Sequence, residues 1–155
     1  MKFEHLVQIN DPLNPLVDPL KREQLWRGLK RRAEQPKQFM KTLDTAEIVE
    51  CSPGTLTRTL SFGTLTVRDR VRFVDAVQVR YEIEGSAEVP AASLTVTIEE
   101  PAPEQFFVRF AYDVNAVMGA APRDAYYDEF VKQAYVEADA DAITTIRRLV
   151  SENAL

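Results

Sequence analysis

At 155 residues the chain has the length of one domain, and its 45% hydrophobic and 28% charged residues are the balance of an ordinary globular fold. A net charge of −5 and a pI near 5.0 argue against nucleic acid and against an anionic membrane surface as partners. A lone cysteine, Cys51, excludes an internal disulfide, and no stretch approaches the roughly 18 apolar residues of a bilayer-spanning helix.

Phe3, His5, Val7 and Ile9 alternate with Glu4, Leu6 and Gln8, the period of a first strand. A proline-studded loop follows, and Asp18 with Pro19 reads as the cap and first turn of a helix. That helix carries Leu20, Leu25, Trp26, Leu29 and Ala33 on one face and stops at Pro36; Gln38-Phe39-Met40 allows a short second helix. Six strands are expected next, over residues 46–52, 55–62, 65–73, 77–84, 94–99 and 105–114, with turns at Pro53-Gly54, Gly63-Thr64, Asp75, Gly85, Pro101 and Pro103. Connections this short pair each strand antiparallel with the one before it. A loop holding Met118 and Gly119 leads to a helical run opened by Pro122. Its apolar stripe comprises Tyr127, Phe130, Val131, Ala134, Tyr135, Ala138, Ala142, Ile146, Leu149 and Val150. One long helix against one sheet needs a buried stripe and makes a container. With no repeat, linker or low-complexity tract, residues 1–155 form a single domain.

Two strands each place one charge on an apolar face. Leu56, Arg58, Leu60 and Phe62 share a parity, as do Leu65, Val67, Asp69, Val71 and Phe73. A two-residue turn at Gly63-Thr64 sets Arg58 directly opposite Asp69. A three-residue turn Val74-Asp75-Ala76 would then set Asp69 opposite Tyr81, extending the row across three strands. Two readings stand. The row is a structural ion pair with its hydrogen bonds satisfied, or it lines a cavity and orients a polar group of a ligand.

His5 shares the inner parity of its strand and serves either as a hydrogen-bonded interior residue or as a pocket donor or base. Phe106, Val108, Phe110 and Tyr112 form the inner stripe of the last strand, core and ligand wall at once, and Val96 faces the same side. Tyr126, Tyr127 and Tyr135 could turn hydroxyls toward a cavity. Lys30-Arg31-Arg32 reads as a solvated helix face. One histidine and one cysteine make no zinc site. Glycine-rich nucleotide loops and a nucleophile elbow are absent, so no cofactor is implied. The N-terminus lacks the apolar run of a signal peptide, which points to the cytoplasm.

Phe3-Glu4-His5, Arg22-Glu23-Gln24-Leu25-Trp26 with Leu29, Arg68-Asp69-Arg70-Val71 and Ala134-Tyr135 resemble the START-like (SRPBCC) superfamily, and most closely its AtaL-like branch. The resemblance covers nearly the whole chain. It implies an α+β helix-grip fold: a curved seven-stranded antiparallel sheet around a long C-terminal helix, with two short helices between the first two strands. It also implies a deep hydrophobic cavity between sheet and helix, in which relatives hold lipids, sterols, polyketides or plant hormones and a few catalyse cyclisation or dehydration. It carries over no catalytic residue. Where comparable members cap the first helix with a hydroxyl residue this chain has Lys21, leaving Asp18 as the substitute cap.

Three functions follow. The first is noncatalytic binding of an apolar small molecule bearing a polar or acidic group, lined by His5, Arg58, Asp69, Tyr81, Val96, Phe106, Val108, Phe110, Tyr112, Tyr127, Phe130 and Ala134. The second is a polyketide cyclase or aromatase with Asp69, Tyr81 or His5 steering protons. The third is a protein-docking domain using exposed strands or the basic triplet. Membrane insertion is not expected, and a homodimer is left open.

Overall fold

The computed structural model describes residues 1–115 and 125–155. In chain order it contains β1 (Lys2–Gln8), α1 (Arg22–Glu34), a single 3₁₀ turn (Pro36–Gln38), β2 (Thr45–Ser52), β3 (Thr55–Phe62), β4 (Leu65–Val74), β5 (Gln78–Ile83), β6 (Ala92–Ala102), β7 (Gln105–Val114) and α2 (Ala125–Ser151). The strands form one antiparallel sheet in the order β1-β7-β6-β5-β4-β3-β2, so the first strand closes against the last and β2 lies at the far edge. The architecture is the α+β helix-grip arrangement, with α1 and α2 on the same face of the sheet.

Alternation decides which side chains meet the helices. In β3 and β7 the even-numbered residues from Leu56 to Leu60 and from Phe106 to Phe110 are buried while their neighbours are half-exposed. Leu25, Trp26, Leu29 and Ala33 of α1 pack with Leu56, Val71, Val79, Val96, Ile98, Phe106, Val108 and Phe110 of the sheet and with Ile143 and Ile146 of α2. Gly28 marks where the helices touch: a Cβ there would lie 2.4 Å from Ile146. Only a residue without a side chain admits so close a crossing.

Several expectations need correction. Helix α1 begins at Arg22 with Lys21 as its N-cap, not at Asp18. The Gln24 side chain accepts from the Lys21 amide at 2.9 Å, while the Asp18 carbonyl accepts from Arg147 at 2.7 Å. The second helix is one 3₁₀ turn that Pro36 starts rather than a helix over 38–40. Strand β6 runs to Ala102 through Pro101, its register with β7 shifting between Glu99 and Ala102, which a strand edge or bulge accommodates in spite of the missing amide. The β4–β5 loop is Asp75-Ala76-Val77, one residue later than expected, with Ala76 at φ 57°. Asp69 therefore faces Ile83, and Tyr81 faces Val71.

The expected stripe of α2 is buried only in its second half. Ala142, Ile146 and Leu149 are enclosed, joined by Ile143 from outside the expected stripe, whereas Phe130 is 68% exposed and Tyr127, Ala134 and Ala138 are exposed too. At 27 residues α2 is about 40 Å long. It outruns the part of the sheet that α1 helps to close. Pro122 and the loop carrying Met118 and Gly119 fall outside the described residues.

Candidate functional site

Two buried carboxylates stand on the helix-covered face. Asp69 is held by Arg58 in a bidentate pair, Nε to Oδ1 at 2.8 Å and Nη2 to Oδ2 at 2.5 Å, while Arg58 Nη1 donates to the Ala33 carbonyl at 2.8 Å. The two side chains are 5% and 3% exposed. The pairing of Arg58 with Asp69 is the one that the Gly63 turn implies, and Gly63 indeed has φ 59°. Tyr81 is not Asp69's neighbour across the strands, but its ring lies beneath the Arg58 guanidinium, 5.2 Å from the ring centre.

The second carboxylate, Asp139 of α2, is fully enclosed. Its Oδ2 contacts His5 Nε2 at 2.7 Å and accepts from the Tyr112 hydroxyl at 2.6 Å; its Oδ1 accepts from Arg32 Nη2 at 3.2 Å. One carboxylate thus joins β1, β7 and both helices. Acceptance by the carboxylate requires a proton on His5 Nε2, and among the described residues His5 Nδ1 makes no hydrogen bond. Phe3 and Phe110 stack on either side of His5, at 5.6 and 5.2 Å, and Tyr135 stacks on Tyr112 at 4.1 Å. Burial, then the Asp139 charge, pushes the Tyr112 hydroxyl far above its ordinary pKa, so Tyr112 acts as a donor and not as a base. Tyr81 is raised as well, by burial against the opposing pull of Arg32 and Arg58.

Arg32 corrects the reading of the basic triplet as a solvated face. Its guanidinium sits over the Phe110 ring at 5.9 Å, with the side chain 16% exposed. Burial works against its charge, but Tyr81, Asp139 and Tyr112 together outweigh that and raise its pKa. Lys30, next to it, rests over Phe73. Neither Asp139 nor Arg32 was among the expected site residues. Both stand on apolar stripes at helical spacing, Asp139 four residues before Ile143 and Arg32 three after Leu29, so a charge inside a buried stripe was the available signal.

The expected residues fall into three groups. His5, Tyr112, Arg58, Asp69 and Tyr81 converge as a polar belt across the inner face. Val96, Phe106, Val108 and Phe110 are packed core at 5% exposure or less. Tyr127, Phe130 and Ala134 lie apart, exposed on the first half of α2. Beyond the belt the inner face changes character: Phe62, Leu65, Val67, Ile83 and Leu94 are all part-exposed. Surface depressions occur elsewhere too. One of about 800 Å³ is lined by Thr57, Thr59, Arg68, Arg70 and Glu82 together with Arg58, Asp69 and Ile83, and one of about 530 Å³ by Phe3, Phe130 and Val136 beside α2. Among the described residues no three His, Cys, Asp or Glu side chains gather as metal ligands, and no helix is long and apolar enough to cross a membrane.

A family model described as acetylaranotin biosynthesis cluster protein L (AtaL) matches residues 7–153. Solved structures similar to this one include the Zhui aromatase/cyclase from Streptomyces sp. R1128, 17% identical with a TM-score of 0.67, covering 97% of this chain and 95% of that one. The di-domain aromatase/cyclase StfQ of the steffimycin biosynthetic pathway is 10% identical with a TM-score of 0.73; the match takes in 99% of this chain but 52% of StfQ, about half its length. Ara h 8.0201 is 16% identical with a TM-score of 0.65, over 96% and 98% of the two chains. No curated protein matches the sequence. At such identities the structural likeness shows a shared fold.

Proposed function

The chain belongs to the AtaL family, and from that premise we propose that it holds an apolar small molecule, lipid-, polyketide- or aromatic-like, against the part-exposed half of its inner face. The observation that carries this reading is the run of apolar side chains that α1 leaves uncovered, Phe62, Leu65, Val67, Ile83 and Leu94, bordered by buried polar groups. A soluble fold gains nothing by leaving such a layer half-wet, and apolar walls with few convergent polar groups are the usual make-up of a ligand site. The aromatase/cyclases that share the fold support the same class of ligand. Native mass spectrometry of the freshly purified protein tests it. Retention of a defined small molecule is the expected outcome, and a protein that stays empty and refuses a broad lipid and aromatic library contradicts it.

A second reading, a cyclase-type enzyme, draws on Asp139. A carboxylate bonded to a histidine with a free Nδ1 and to a tyrosine donor is an acid–base assembly. Asp69, tied in both oxygens to Arg58, is the poorer base. This reading predicts a pH-dependent turnover of a bound polyketide that His5→Gln removes while binding survives.

A further inference from the structure

The outward face of the sheet carries charges that the chain itself does not answer. Arg68, Arg70 and Arg72 take successive outward positions on β4, all exposed, and among the described residues their guanidinium groups make no hydrogen bond or ion pair. Every other arginine among the described residues has its guanidinium hydrogen-bonded. Glu47 and Glu50 on β2 are exposed, and their carboxylates are equally unpaired among those residues. Strand pairing sets these groups in register across β3. Glu47, Thr59 and Arg68 form one rung, Glu50, Thr57 and Arg70 the next, and Ser52, Thr55 and Arg72 the third. The register shift at Val49 makes this possible, because strict alternation would turn Glu50 to the helix-covered face.

The threonines are the floor of a trough between an acidic wall and a basic wall, about 9.6 Å apart at two strand spacings. Depressions of about 800 and about 320 Å³ run along it and share Thr57 and Arg70. An acidic chain laid there meets the glutamates, and a basic one meets the arginines. A second copy answers both. A two-fold axis above β3 and parallel to it keeps each rung at its height and exchanges left for right. Arg68 then faces the partner's Glu47, Arg70 faces the partner's Glu50, and the reverse pairs form by symmetry. We propose that the outer face of β2, β3 and β4 is a self-complementary interface through which two copies of this chain associate. Exposed ion pairs contribute little singly and are screened by salt, and three strands make a small patch, so the dimer is weak and salt-sensitive. It leaves the helix-covered face free and does not depend on the binding reading above.

Sedimentation equilibrium of the native chain at about 0.2 mM tests this in about 20 mM and about 500 mM salt, where screening lengths are roughly 20 and 4 Å. A dimer is expected at the lower salt, weakened about tenfold or more at the higher. Arg70→Glu and Glu50→Arg each set like charges face to face and should leave a monomer, with thermal melting confirming a folded protein. Mixed in equal amounts, the two variants should associate again, because each supplies the charge that the other lost. The double variant should pair with itself as the native chain does. If either single variant fails to fold, the same exchange at Arg68 and Glu47 decides. A native chain that stays monomeric at low salt overturns the interface, including one that binds added polyglutamate instead. A dimer that survives the single reversals also overturns it, since pairing along the open β2 edge would behave in that way, and so does a mixture that fails to recover.

Discussion

The two halves of the inner face are built from the same alternation and finish differently. At the α1 end, Val71, Val79, Val96, Val108 and Phe110 are closed to solvent by two helices that touch at Gly28 and Ile146. At the other end, Val67, Ile83 and Leu94 occupy the same face of the same strands and remain part-exposed. Between them runs the belt of Arg58, Asp69, Tyr81, Arg32, Asp139, Tyr112 and His5. A fold that only needed a core would have no reason to place two ionic clusters across its middle, because apolar residues of similar volume serve stability as well or better. The difference teaches that polarity here marks a border between a closed core and a part-exposed apolar layer.

The largest test of that border is Arg58→Ala, which strands a buried Asp69 and should cost about 3–5 kcal/mol in urea unfolding. The double change Arg58→Met with Asp69→Leu should recover most of it, showing that the pair is retained for something besides stability. Equal chemistry in the two halves sharpens the comparison. Leu29→Ala, in the closed half, should cost about 2–5 kcal/mol, whereas Leu94→Ala, already half-wet, should cost about 1 kcal/mol; equal losses would erase the distinction. Tyr112→Phe removes the bond to Asp139 and should cost about 1.5 kcal/mol. Gly28→Ala forces Ile146 aside; overpacking of about 1–3 kcal/mol exceeds the helix-propensity gain of about 1 kcal/mol, so the closed half should loosen slightly.

The belt also predicts a direction with pH. Tyr81 and Tyr112 have folded pKa values above their unfolded ones. Above about pH 10 the unfolded chain releases these protons while the folded chain keeps them, so stability falls as pH rises. Thermal melts from pH 8 to 11 should show that decline, and Tyr112→Phe should flatten it. A slope unchanged in the variant would mean that the tyrosines do not govern it.

Much of this was legible in the sequence, for reasons that name its limits. Strand parity placed Arg58 opposite Asp69 correctly because the two-residue turn at Gly63-Thr64 allows one register only. The register of β5 slipped because a three-residue loop closes equally well one position later. Ala76, a non-glycine residue, takes the left-handed conformation that the later loop needs. Moving a loop by one residue moves its partners by two, so Tyr81 kept its face but lost its place opposite Asp69. Asp139 and Arg32 escaped because a search for apolar stripes passes over the charges within them. The rule that found Arg58 on a greasy strand finds Asp139 on a greasy helix once it is applied there. The exposed half of α2 was unreadable because periodicity shows which side chains share a face and not how far the sheet extends beneath them.

The most direct measurement of the central claim is a methyl-resolved NMR titration of the native protein with N-phenyl-1-naphthylamine. The account predicts shifts concentrated at Val67, Ile83 and Leu94, with Val79, Val96 and Val108 nearly still. Shifts confined to the exposed α2 surface around Val136, or to the outer face of the sheet, would contradict it.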